Sequence, residues 1–177
     1  MSLPPTATLP LATLNAFPET NFVTTLAGVF ERSPWVAAGA YSARPFGSLD
    51  ELHGAMCRVV ETADTENQLE LIRAHPDLAG KAALAGALTA ASRGEQAGAG
   101  LDRLTEAEYR RFHALNSAYK AHFGFPFILA VKGHTKTSIL DAFEVRLSNS
   151  AEAEREEALG QIFKIARFRL EALTGAL

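Results

Sequence analysis

The stretch TEAEYRRFHALNSAYKAHFG, residues 105–124, decides the fold. Thr105 stands three residues before Glu108, the pattern in which a threonine hydroxyl and a glutamate carboxylate satisfy each other's free backbone N–H groups at a helix start. From there Tyr109, Phe112, Asn116, Tyr119 and Phe123 recur at three- and four-residue steps along one stripe, and Gly124 supplies the stop. This is one long amphipathic helix. Upstream, Ser48 with Glu51 and Thr65 with Gln68 repeat the start signal. Glu19 to Arg32, Asp64 to Ala74 and Thr135 to Leu147 carry helical spacing, and the run from Ala151 repeats Leu159, Ile162, Phe163, Ala166, Leu170 and Leu173, with Asn149 as its expected cap. Immediately downstream of the opening stretch, Phe125 to Val131 is the one strand-like segment, and it has no second strand to pair with. The spacing predicts an all-α fold: a single-domain bundle of about seven to nine helices with one extended apolar segment near residues 125–131.

Residues 1–14 contain Pro4, Pro5 and Pro10 and no period, and read as a flexible N-terminal arm before a domain over 15–177. With 47% hydrophobic and 21% charged residues in 177, the chain can bury a core, which excludes intrinsic disorder. A formal charge of −3 gives no electrostatic footprint for nucleic acid. No apolar run is long enough to span a bilayer, and no signal peptide or peroxisomal ending is visible, so the expected compartment is the cytoplasm. Cys57, the single cysteine, has no internal disulfide partner and reads as a small buried apolar residue of a reducing compartment.

Several chemistries drop out on motif alone. There is no His-Glu-x-x-His helix and no nucleophile elbow, and Gly80-Lys81 has His75 where a phosphate loop needs its first glycine. The histidines at 53, 75, 113, 122 and 134 show no pairing at three or four residues, so no metal site is expected. His75 differs from the others because it follows the apolar run Leu69 to Ile72 and precedes Pro76, which biases it out of the helix. At such a helix end it reads either as a hydrogen-bonded structural histidine or as a general acid or base near neutral pH. Ser92 to Gln96 reads either as a further capping box, with Glu95 folded back on the helix start, or as a grip on a polar heterocycle. The Ala- and Gly-rich stretch from Gly80 to Gly100 suits close backbone approach or a plain loop. Pro126 interrupts the segment Phe125 to Val131, so several backbone groups there should lack regular partners and can read a planar ligand's amides; an ordinary buried connection is the alternative. Arg169, at the edge of the last helix's apolar stripe, can reach solvent or point its charge into a cavity.

Taken together, Phe30 to Trp35 with Arg44-Pro45-Phe46, His75 to Gly80, Ser92 to Gln96 with Gly100-Leu101, and Phe123 to Gly133 resemble the OHCU decarboxylase family of urate degradation. OHCU is 2-oxo-4-hydroxy-4-carboxy-5-ureidoimidazoline. Arg146 to Asn149 and Ile165 to Leu170 extend the resemblance, which covers residues 12–174. It implies a cofactor-free, usually dimeric helical enzyme that converts OHCU to (S)-allantoin. It further implies catalysis by His75 with Glu95, and substrate contact by Pro76, Ser92, Gln96, the backbone of Phe127, Ile128, Leu129, Ala130 and Val131, and Arg169. A helical ligand-binding or dimerisation module without turnover, and a hydrolase of a related ureide, are the competing expectations.

Overall fold

The structure, a computed structural model, describes residues 8–79 and 88–176. Residues 1–7 of the expected arm and residues 80–87 of the Ala- and Gly-rich stretch lie outside the described residues. Among the described residues all regular structure is helical, as the spacing predicts. The helices are α1 (Leu11–Ala16), α2 (Glu19–Leu26), α3 (Pro34–Ala40), α4 (Leu49–Glu61), α5 (Thr65–Arg73), α6 (Ala90–Gly98), α7 (Glu106–Phe123), α8 (Lys136–Arg146) and α9 (Ala151–Thr174), with one 3-10 turn at Tyr41–Ala43. The chain divides into two compact units. One takes its residues from Met1–Asp64 and Ile165–Leu177, the other is Thr65–Lys164, and α9 contributes to both.

In the first unit α3 packs on α2 and α4 over Phe22, Leu26, Val36, Ala37, Leu52, Met56 and Val60, all buried. Gly39 lets α3 approach α4 closely, since a Cβ there would lie 2.7 Å from Val59 Cγ1. Of the residues expected in the arm over 1–14, residues 11–14 lie in α1. Pro10 precedes the first turn of α1, its carbonyl accepting from the Thr13 N–H at 2.9 Å, and Leu14 is fully buried, so burial of one leucine orders a segment too short to show a period. Asn15 then exchanges two hydrogen bonds with the Phe46 backbone, at 2.8 and 2.9 Å. Arg44 Nη1 donates to Asn15 O and Phe17 O at 2.7 and 2.9 Å while its guanidinium lies 3.6 Å from the Tyr41 ring centre. The helix expected to reach Arg32 stops at Leu26. Turn bonds from Val29 N to Leu26 O and from Ser33 N to Phe30 O follow it, and Val29 and Phe30 are buried from those turns. Apolar spacing reported burial there, not helical backbone.

The second unit is built around α7, whose start carries both halves of the Thr105–Glu108 capping box and whose end is Gly124 at φ +76°, in the left-handed region. Phe112, Tyr119, Phe127 and Phe143 form its aromatic core. The Phe127 and Phe143 rings stack at 3.7 Å, and Tyr119 meets Phe127 edge-on at 5.2 Å. Three caps differ from expectation. Helix α5 already includes Thr65, whose hydroxyl accepts from Arg155 Nη1 at 3.1 Å. Helix α9 is capped by Ser150, which accepts from the Ala153 N–H at 3.2 Å, while Asn149 turns its amide to Glu154 at 2.8 Å. Helix α6 is capped by Thr89, not Ser92.

Candidate active site

Helix α5 ends at Arg73, and His75 closes one further turn through its N–H to Ile72 O at 3.2 Å before Pro76 takes the chain away. The side chain is 7% exposed and its Nδ1 lies 2.9 Å from Leu71 O. A carbonyl only accepts, so Nδ1 carries the hydrogen and in the neutral ring Nε2 carries the lone pair. The imidazole is therefore fixed in one tautomer by its own helix end.

The turn after Pro76 is held from two helices. From α6, Gln96 accepts the Ala79 N–H through Oε1 at 2.9 Å and donates through Nε2 to Asp77 O at 3.3 Å. From α7, Asn116 Nδ2 donates to Leu78 O at 2.8 Å and Lys120 Nζ pairs with Asp77 at 2.7 Å. Ala79 is thereby held at φ +52°, a left-handed conformation that a non-glycine residue adopts only under such constraint. Gln96, expected to hold ligand N–H groups, thus spends one N–H and one lone pair on the turn and keeps one of each. Asn116 Oδ1 is buried and has no hydrogen-bond partner among the described residues. Its orientation is set by chemistry, since a flipped amide would set oxygen against the Leu78 carbonyl.

The Ser92–Glu95 capping box does not form. Thr89 occupies the cap and accepts the Ser92 N–H at 3.2 Å, which puts Ser92 inside the helix, where its Oγ accepts the Thr89 hydroxyl at 3.1 Å. Glu95 is then mid-helix and half-buried, not folded back onto a helix start. At roughly 100° per residue, Ser92, Glu95 and Gln96 share an arc of about 100° on α6, and Gln96 ties that arc to the turn that follows His75.

The segment Phe125 to Val131 is buried along its whole length and forms no regular structure. Three backbone groups are taken: Ile128 O accepts from Arg146 Nη1 at 2.6 Å, the Ala130 N–H donates to Gln161 Oε1 at 3.0 Å, and Val131 O accepts from the His134 N–H at 2.9 Å. The N–H groups of Ile128, Leu129 and Val131 and the carbonyls of Leu129 and Ala130 have no partner among the described residues. Behind the segment, Glu154 is fully buried between Arg146 (Nε at 2.7 Å), Asn149 and the hydroxyl of Tyr119. Burial and the neighbouring carboxylate raise the Tyr119 phenol far above its ordinary value, so it stays protonated and donates to Glu154. Sequence reading assigned no role to Arg146, Glu154, Gln161, Asn116 or Lys120. The one local hint was Asn116, a polar residue on an otherwise aromatic stripe.

Arg169 belongs to the first unit. Its Nη1 lies 2.9 Å from Glu31 Oε2 and 3.0 Å from Gly28 O, and the pair is buried, the Glu31 residue being 2% exposed. The guanidinium therefore neither trails into solvent nor stands as a lone charge. Cys57 is buried as expected, with its thiol pushed up to about 12 by burial and by Glu61. Among the described residues no group of three or more His, Cys, Asp or Glu could hold a metal ion, and no helix is long and apolar enough to cross a membrane.

The helical fold thus supplies a histidine fixed in one tautomer and, within the same compact unit, a buried row of backbone groups without partners among the described residues, the elements an acid–base site for a small polar ligand can use. The OHCU decarboxylase family model matches residues 15–171, and the chain belongs to that family. It is 44% identical over 162 residues to the 2-oxo-4-hydroxy-4-carboxy-5-ureidoimidazoline decarboxylase of Haloferax volcanii, covering 92% of this chain and 94% of that one. It is 45% identical to the uric acid degradation bifunctional protein PucL of Bacillus subtilis, where the match spans 89% of this chain but 31% of the larger protein. Among solved structures it resembles an (S)-allantoin synthase at TM-score 0.73 and 32% identity, covering 92% of this chain and 53% of that one. An OHCU decarboxylase crystallised in the presence of (S)-allantoin shares the fold at TM-score 0.70 and 22% identity, over 85% of this chain and 98% of the other.

Proposed function

We propose that this chain decarboxylates OHCU to (S)-allantoin and CO₂ in urate breakdown. The observation that carries the reading is His75, locked as the Nδ1–H tautomer by Leu71 O in a chain of this family. The substrate's carboxylate sits on a ring carbon that also bears a hydroxyl and adjoins a C=N bond. When the bond to CO₂ breaks, its electron pair forms C=C with the neighbouring carbon, and the C=N π pair moves to the ring nitrogen, which takes a proton. The resulting enol becomes allantoin by losing its hydroxyl proton and gaining one at the adjacent carbon, so one proton is consumed overall. The imine is its own electron sink, and no organic cofactor is needed to supply one.

The protein's part is then orientation, charge placement and proton transfer. His75 Nε2 is the base for the hydroxyl proton, and Pro76 contacts the substrate next to it. Glu95 assists as a carboxylate on the α6 arc, and Ser92 and Gln96 hold the ureido and ring N–H groups. The backbone of Phe127 to Val131, whose open groups include three donors and two acceptors, matches the opposite edge of a ureide. The reading also places the enzyme in the cytoplasm as a homodimer.

Generating OHCU enzymatically from urate and adding the protein tests the assignment. Faster CO₂ release, unaffected by a chelator, is expected. Release of ammonia or urea in its place would make the chain a ureide hydrolase, and an unchanged rate would make it a binding module.

A further inference from the structure

The backbone of Ile128 to Val131 can read a ligand only if its peptide planes are held, because a loop free to rotate presents donors and acceptors in no fixed order. No strand or helix holds them. The structure supplies two side chains instead, each on one peptide group: Arg146 on Ile128 O and Gln161 on the Ala130 N–H. Arg146 is committed elsewhere, since its charge neutralises the fully buried Glu154. Gln161 is not. It is 7% exposed, and its second contact, from Nε2 to Glu157 Oε1 at 2.7 Å, merely aims the amide so that Oε1 faces Ala130.

We propose that Gln161 is a positioning residue for substrate recognition, acting through Ala130. By capturing that one N–H it fixes the Leu129–Ala130 peptide plane next to the Ile128–Leu129 plane that Arg146 holds, so that the Leu129 carbonyl and the N–H groups of Ile128, Leu129 and Val131 remain for the ureide. Gln161 itself touches no reacting atom. Its loss therefore weakens ground state and transition state alike, which appears in KM and not in kcat. The inference rests on the reading that this backbone segment binds the ureide.

The product, (S)-allantoin, is a stable probe. In the ¹⁵N-labelled wild-type protein, the Ala130 amide is expected to exchange slowly before allantoin is added, and the Ile128, Leu129 and Val131 amides to shift as it is titrated. Gln161→Met should raise the allantoin Kd and the KM for OHCU by about tenfold, the size expected for one buried N–H left without its partner, with kcat within about twofold. The exchanged pair E157Q with Q161E keeps an acceptor for Ala130 and a donor at position 157, and should restore both constants to within about twofold. If allantoin moves none of the wild-type amides, the backbone reading fails and takes this inference with it. If it moves them, three results overturn the role of Gln161 alone: rapid exchange of Ala130, an unaltered Kd in Gln161→Met, or a loss confined to kcat. The exchange measurement needs no variant and stands even if Gln161→Met fails to fold.

Discussion

At the residue scale, the chemistry depends on what each polar group has already spent. His75 has given its Nδ1 hydrogen to Leu71 O, and Gln96 has given half of its amide to the turn at Asp77 and Ala79. Glu95, as a carboxylate on the same α6 arc, brings a charge that Ser92, engaged with Thr89, does not. Glu95→Gln is therefore expected to lower turnover more than Ser92→Ala, since charge-assisted hydrogen bonds are the stronger class. Initial-rate assays at matched folded protein check this, and the reverse order would return the leading role to Ser92. Cys57 gives a second prediction. A thiol pushed up to about 12 stays protonated at pH 8, so iodoacetamide should leave it unmodified in the native protein and alkylate it after denaturation. The linkage has a definite sign. Because the folded value is raised, the native state holds this proton more tightly than the unfolded chain, and stability should fall as pH rises from about 9 towards 12.

At the scale of elements, the organising feature is the buried carboxylate of Glu154 on α9, reached by Arg146 at the end of α8, Tyr119 of α7 and Asn149 of the α8–α9 turn. These contacts fasten three helices to the irregular segment through Arg146 and Ile128 O. Removing one charge strands the other in the core. Arg146→Met should cost about 3–5 kcal/mol in urea unfolding, and pairing it with Glu154→Leu should recover a large part of that, because the uncompensated charge, not the lost attraction, dominates. An additive double variant would show instead that the two residues act independently. Capping can be read at this scale as well. Thr105 and Gly124 bound α7 as their spacing predicts, because both signals act within one turn of the helix end. The box at Ser92 misled because Thr89 offers the same hydroxyl three residues earlier, and the helix takes the earlier cap.

At the scale of the whole molecule, helical periodicity exposed the all-α fold and most helix positions, because burial on one face leaves a local repeat in the chain. Contacts between segments distant in sequence leave none. The Asn116 bond to Leu78 joins residues 38 apart, that from Ala130 to Gln161 residues 31 apart, and Arg169 meets Gly28 across 141. His75 was visible because its signals, an apolar helical run and a following proline, are adjacent; the residues that hold its turn were not. The division into two units, with α9 contributing to both, likewise has no mark in composition or linker sequence.

The central claim is that a single histidine of fixed tautomer carries a stereospecific decarboxylation. It is tested by following CO₂ and optical rotation together, with OHCU made in situ, for the wild-type protein and for His75→Asn. The wild type should accelerate CO₂ release and build up (S)-allantoin above the racemic product of spontaneous decay. His75→Asn should lose roughly 10²- to 10⁴-fold in rate with its helical circular dichroism intact. A variant that turns over at the wild-type rate would contradict the role assigned to His75, and a wild type that yields racemic allantoin would contradict the stereospecific product.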